Sequence, residues 1–250
     1  MAAYTYTESK EISGMPGSNA ASAYTGLVGV NGPHIPNLER SQYVVPHKAI
    51  GSASYKLPWA IGNFQSATFI NLFYSGGSTY GYSYTYTNDM NGDGIAADLI
   101  YIPEGKGDIK FKTAADEDAF FKFMEQDSYL KNNKGKYAGA NATPNPWVHK
   151  FDLRIAREYY VKVGNTTNTF QINLDVLNVG NLINSKWGVE KWMDVANRGQ
   201  ILKYEGKDGN NVPEFSFVKD SNGEYLSQTF DYNYYFGQTW RLQVGVKYTF

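Results

Sequence analysis

The sequence predicts an all-β protein, an antiparallel segment of a transmembrane β-barrel. Three observations lead there. Apolar and polar residues alternate with period two in several stretches, the pattern of a strand with two unlike faces. Many of these stretches outrun the usual strand of about 5–6 residues and match the roughly 9–11 tilted residues that cross a bilayer. The polar face carries Asp152, Arg154, Glu158, Asn173 and Asp175, a set suited to a wetted lumen. Periodicity alone does not say which face is inside. A soluble sandwich turns its apolar face inward, and strand length and the charged face are what favour the inverted arrangement.

Taken in order, strand patterns fall at residues 2–8, 43–56, 65–74, 79–86, 151–163, 169–178, 199–204, 225–230 and 240–250. That is about eight to ten strands, a count typical of part of a membrane barrel. The last is the clearest. Trp240, Leu242, Val244, Val246, Tyr248 and Phe250 occupy every even position, and polar residues or glycine fill the odd positions between them. The 151–163 stretch alternates nearly as well, with Arg157 the exception on its apolar side. Segments 57–63 and 163–168 read as short turns, and 9–40, 88–146 and 181–198 as long polar loops. Short turns at one end and long loops at the other are how outer-membrane barrels are built. Tyrosines at 80, 82, 84 and 86, and the aromatics at 232 and 234–236, read as girdles at strand ends. Residues 113–130 carry the helix-like pattern, with Phe120, Phe121, Phe123 and Met124 among acidic residues. They predict one short loop helix with a solvated acidic face of Asp116, Glu117, Asp118, Glu125 and Asp127. Residues 1–250 read as a single unit.

Composition narrows the function classes. Charged residues are 19% and aromatics 16%, which excludes disorder. There is no cysteine, so disulfide scaffolds, thiol catalysis and Cys-ligated metals are excluded. With 23 basic and 24 acidic residues, nothing points to nucleic acid. No apolar run approaches the roughly 18 residues of a membrane helix. The first residues, Met1 to Thr7, have neither the basic nor the apolar region of a signal peptide, and they read like the middle of a strand. No nucleophile–base pattern, phosphate-binding glycine loop or zinc helix is present, and the chain reads as a non-enzyme with no catalytic residue.

Three stretches carry a family likeness. One is the run from Phe170 through Asp175 and Asn178 to Asn184, preceded by Pro146 to Ile155. Another is Asp89-Met-Asn-Gly-Asp-Gly-Ile-Ala-Ala-Asp98 and on to Pro103. The third is the alternating terminus that ends on Phe250. Together they resemble the C-terminal part of the β-barrel of TonB-dependent outer-membrane receptors, nearest the Oar-like and SusC-like group of Bacteroidetes. The resemblance spans essentially the whole chain. It implies a 22-stranded barrel with a plugged lumen. It also implies a place in the Gram-negative outer membrane and energised uptake of a large ligand such as a glycan, peptide or metal chelate. The implied partners are membrane lipid, the barrel-assembly machinery, TonB reached through an N-terminal region, and a surface lipoprotein in the SusC-like members. At about 30 residues per strand with its loop, 250 residues supply about eight of those strands. The chain therefore reads as a receptor fragment without plug or signal peptide.

Three sets of site residues follow. Trp240, Leu242, Val244, Val246, Tyr248 and Phe250 would be the terminal stripe read by the assembly machinery, because an unpaired strand is a template for another strand. Asp89, Asn91 and Asp93 match the opening of a calcium loop, with the Ile95 carbonyl and Asp98 as further oxygens. The bidentate Glu expected later in such a loop is Ile100. The competing account is a plain Asn/Asp/Gly turn. Trp187, Trp192, Tyr232, Tyr234 and Tyr235 would stack on sugar or peptide, or simply pack within the loops. His34, His47 and His149 are too far apart to form a local ligand set. Two rival accounts remain at this level. One is an independent small outer-membrane barrel serving as an adhesin or structural protein; the other is a soluble all-β carbohydrate-binding module.

Overall fold

The structure, a computed structural model, describes residues 1–61, 64–193 and 199–250. Strand outweighs helix, 45% against 15% of the chain, which makes the protein mostly β. No helix among the described residues is long and apolar enough to cross a membrane. Six strands form the main sheet, here called the wall. They are β1 (Ala2–Tyr6), β2 (His47–Ile61), β3 (Phe64–Gly77), β4 (Val148–Val163), β5 (Thr166–Leu177) and β6 (Arg241–Thr249). They pair antiparallel in chain order, each beside its predecessor. The described strands form an open sheet, with β1 at one edge and β6 at the other.

Connections alternate strictly. β4 turns into β5 through Gly164 and Asn165, and Gly164 takes the positive φ of +61° that a two-residue hairpin needs. The β2–β3 turn falls on residues 62–63, outside the described residues, as do residues 194–198 of the last long loop. The other connections, 7–46, 78–147 and 178–240, are long and all leave from the opposite end of the wall. β2 continues through 57–61, where the sequence suggested a turn. Pro58, which has no N–H to donate to a ladder, lies where β2 is flanked only by β3, because β1 pairs no further than Gly51.

The register sorts the side chains into two faces. One cross-strand row reads Val244, Leu174, Ile155, Ile70, Tyr55, and the next reads Leu242, Val176, Leu153, Leu72, Ala53. On the opposite face Gln243, Asp175, Arg154, Asn71 and Ser54 make a polar row. Nothing among the described residues covers much of the apolar face: Val244 is 62% exposed, Val246 65% and Tyr55 63%. Arg157, the exception in the pattern, does lie on this face. Its guanidinium donates to Thr68 Oγ1 (2.6 Å) and Ser66 Oγ (2.8 Å) and sits over the rings of Trp59 and Tyr159. Its charge is thus satisfied within the sheet, close to the short-turn end.

The packed core lies elsewhere, in the long loops. Tyr84, Leu99, Ile100, Ile102, Phe120, Met124, Leu130 and Leu202 are fully buried together, with Phe123, Phe215 and Phe217 beside them. This loop body holds a four-stranded sheet and two helices, α1 (Ala114–Gln126) and α2 (Ser128–Asn132). Parallel bridges join different loops: Thr85 lies beside Gln200, and Lys110 beside Glu214. Gly199 makes one of these junctions possible. It has a φ of +95°, and a Cβ there would meet the Ser83 carbonyl oxygen at 2.0 Å.

Several expectations are corrected here. The wall has six strands, fewer than eight to ten. Residues 79–86 and 199–204 contribute to the loop body, because their alternating aromatics find a dry core there. Residues 225–230 are mostly irregular, with a short strand only at Phe230–Tyr232. Tyr82, Tyr84 and Tyr86 are therefore not a girdle. The single loop helix is two helices, broken at Asp127, and two more short helices span Ala20–Thr25 and Val179–Ile183.

Phe120→Ala should destabilise the loop body by about 3–5 kcal/mol, the usual result of emptying an aromatic site in a packed core. Urea unfolding followed by tryptophan fluorescence would measure it. A loss below about 1 kcal/mol would show that this cluster does not set the stability.

Candidate functional site

The acidic run on α1 divides by burial, which corrects the reading of a solvated face. Asp127 is 4% exposed and ends one helix while capping the next. It accepts from Tyr84 Oη (2.6 Å), Thr229 Oγ1 (2.6 Å) and the Leu130 N–H (2.9 Å). Asp116 is also buried and accepts from Thr113 Oγ1, Tyr225 Oη and the Phe217 N–H. A buried carboxylate is tolerable only with such a complete set of donors. Glu117 is half-buried and accepts from the Gly107 N–H, while Asp118 and Glu125 face solvent; Asp118 pairs with Lys106, and Glu125 with Lys131 and Lys134. Burial pushes the Tyr84 phenol far up, so this residue is a permanent donor to Asp127.

A polar cleft of about 490 Å³ opens beside this cluster. Tyr82, Asp127, Tyr129, Thr143, Gln228 and Thr229 line it. The Tyr82 hydroxyl and Thr143 Oγ1 are buried there with no hydrogen-bond partner among the described residues. Such orphaned groups are rare, and they mark a place where a ligand or water completes the network. No sequence motif announced this cleft, because its lining comes from five separate segments.

A second cleft, of about 430 Å³, lies at the long-loop end of the apolar face. Trp147 and Phe151 of the wall side face Trp187 and Tyr232 of the last loop across it. Of the five predicted ligand-binding aromatics, these two loop residues are brought together. Tyr234 stacks on Tyr232 at 5.7 Å, while Tyr235 packs on Gly237. Trp192 donates to Glu190 Oε2. None of Trp192, Tyr234 and Tyr235 lines the cleft.

Around it runs an aromatic band that the sequence patterns did not single out. Tyr4, His47, Trp147, His149, Tyr74 and Phe151 stack in succession, at centroid distances of 5.0 to 6.1 Å. Tyr4 and Tyr74 hydroxyls meet Nδ1 of His47 and His149 at 2.6 and 2.8 Å. Trp59, Tyr159, Phe170 and Tyr248 form a lower row on the same face. From Phe151 to Tyr159 the strand covers about 26 Å before tilt.

The Asp89–Asp98 loop does fold back on itself. Asp89 accepts from the N–H groups of Gly92, Asp93 and Gly94, which hold its carboxyl below the usual range, Gly94 foremost. Gly94, at φ +87°, makes the sharp turn. Asp93 Oδ1 accepts from the Ile95 N–H. The Asn91 amide donates to Asp93 Oδ2 (3.2 Å) and to Asp98 Oδ1 (2.9 Å). That donor sits between the two carboxylates, where a cation would. Asp98 is buried, and desolvation raises its pKa. No cluster of three or more acidic, His or Cys side chains with metal-ligating spacing occurs among the described residues.

The motif that carried the family likeness has a positional role. Asn178, in the left-handed region at φ +51°, donates through its amide to the Gln238 carbonyl (2.8 Å). Its own N–H goes to Asp152 Oδ1 (2.7 Å). Asn181 Oδ1 accepts from the Trp240 N–H (3.1 Å). These two residues clip the end of β5 to the start of β6 across the intervening loop. Beyond that clip, Leu242, Val244, Val246 and Tyr248 project on one exposed stripe of the edge strand, and Phe250 is 92% exposed.

No family model, curated protein or solved structure matches this chain.

In the loop body the Glu205 carboxyl is held down to about 2, first by the Ser216 hydroxyl and then by Lys203. An ordinary glutamate titrates near about 4.3. A lowered folded value means that its stabilisation is complete above about pH 4 and lost as pH falls through about 2. Thermal midpoints measured across that window should fall more steeply for the native chain than for Glu205→Gln; parallel curves would refute the assignment.

Proposed function

We propose that the chain is a wall segment of an outer-membrane β-barrel, the C-terminal part of a TonB-dependent receptor. The observation that carries this reading is the placement of apolar surface. Among the described residues the large dry core is in the loops, while the wall turns Leu, Ile, Val and aromatic side chains outward. Burying one such side chain fully is worth about 1.5–3 kcal/mol, so a row of them facing water is a large deficit, and lipid removes it. Aromatic rows bound the face at both ends, as membrane girdles do. The strictly consecutive antiparallel order and the alternation of short and long connections fit the same picture. In the whole receptor this segment contributes wall, external loops and the terminal strand read by the assembly machinery. Import of a large ligand, energised through TonB, and a place in the outer membrane belong to the same proposal. The polar cleft beside Asp127 is the part of the external face best equipped to touch that ligand. A soluble carbohydrate-binding module is disfavoured by the uncovered apolar face, and a separate small barrel by the open edges of the sheet.

Val244→Arg separates these accounts. In lipid vesicles it should destabilise the folded protein by about 2–4 kcal/mol, the cost of a basic residue on the lipid face near midplane. At a solvent-exposed site the change would stay within about 0.5 kcal/mol, and that result would sink the membrane reading. Reading the coding sequence upstream of Met1 for a plug domain tests the receptor assignment separately.

Calcium is part of the proposal as a structural ion of the external loop. Asp89, Asn91, Asp93, the Ile95 carbonyl and Asp98 are an all-oxygen set of the kind a hard cation takes. Millimolar calcium should raise the thermal midpoint of the native chain but not of Asp93→Ala, and a chelator should reverse the gain. An equal response from both proteins would exclude this loop.

A further inference from the structure

We infer that the cleft between Trp187 and Phe151 holds the phosphate headgroup of an anionic membrane lipid, with the acyl chains running down the apolar face. This rests on the membrane reading above. Position is the first support: the cleft opens at the aromatic band, the level at which amphipathic rings meet headgroups. Immediately below it Leu153 and Ile155 continue the Phe151 side of β4, so an alkyl chain leaving the cleft runs over two apolar rows before it reaches Arg157. Charge is the second support. Lys186 and Lys191 line the cleft, and among its lining residues there is no carboxylate. Both ammonium groups lie over the same Tyr232 ring, at 5.8 and 4.7 Å from its centroid. Neither forms an ion pair with a described residue, whereas Lys106, Lys110, Lys131 and Lys134 in the loop body all do. Among the described residues, the neighbouring acids Glu190 and Asp231 accept instead from Trp192 Nε1 and the Tyr232 N–H. Two cations with no ion pair among the described residues, at the head of an apolar track, match a phosphate joined to hydrocarbon. Neither a neutral sugar nor a zwitterionic headgroup would use both features.

The test titrates the detergent-solubilised protein with dioctanoyl phosphatidic acid, dioctanoyl phosphatidylcholine and inorganic phosphate, following tryptophan fluorescence. Phosphatidic acid should bind, and each lysine should account for about fivefold in affinity. The Lys186→Gln/Lys191→Gln pair would then bind roughly 25-fold more weakly, while Lys207→Gln, a control outside the cleft, would bind as the native protein does. Equal binding of phosphatidylcholine would overturn the role of charge. Equal binding of free phosphate would overturn the lipid as its source, and an unchanged double variant would overturn the site. If the protein instead stays monodisperse without detergent, the membrane reading itself fails, an outcome distinct from these three.

Discussion

Apolar surface has to be removed from water, and this chain meets that demand in two different ways. In the loops it does so internally, by bringing Phe120, Phe217, Tyr84 and Leu202 into one dry cluster. In the wall it does so only in part among the described residues, where Val176 is buried but Val244, Val246 and Tyr55 stay exposed. The rows through Ile155 and Leu153 are ordered by backbone pairing and then left facing outward. The rest of the architecture follows from that division. Strands must be long because the outward face is tall, connections must alternate because only one end carries a folded body, and the charged residues Asp175 and Arg154 end up on the opposite face.

Where the wall meets the last long loop, its strand ends are held by polar clips. Asn178 and Asn181 fasten the β5 and β6 ends, and Asp152 accepts the Asn178 N–H from the wall's polar face. Each clip puts an amide or carboxylate where a strand stops and its ladder partners run out. A hydrogen bond of this kind adds about 0.5–1.5 kcal/mol net, but losing one buried partner costs more, which makes the clips positional constraints first.

How far the sequence foretold this depended on whether each signal was local. The alternation from Trp240 to Phe250, and that from Phe151 to Val163, read correctly because period two is written into adjacent residues. Arg157 looked like an error in the pattern, since Ser66 and Thr68, which hold it, lie on another strand. The tyrosines at 82, 84 and 86 alternate just as a wall strand does. Their burial depends on Asp127 and Phe215, far along the chain, so their destination was hidden. Asp116 and Asp127 looked like solvated charges because their donors come from Thr113, Tyr225, Tyr84 and Thr229. The Asp89 loop was legible as a turn, since its partners are its own backbone. Both clefts were invisible as sites, although Trp187 and Tyr232 were noticed one at a time.

The parallel bridge between Thr85 and Gln200 and the one between Lys110 and Glu214 link the second long loop to the third, and the contact of Leu99 with Gly29 links it to the first. Loops joined in this way have lost their independence. A substitution that loosens the second loop therefore releases the first and the third as well, since both are bridged to it.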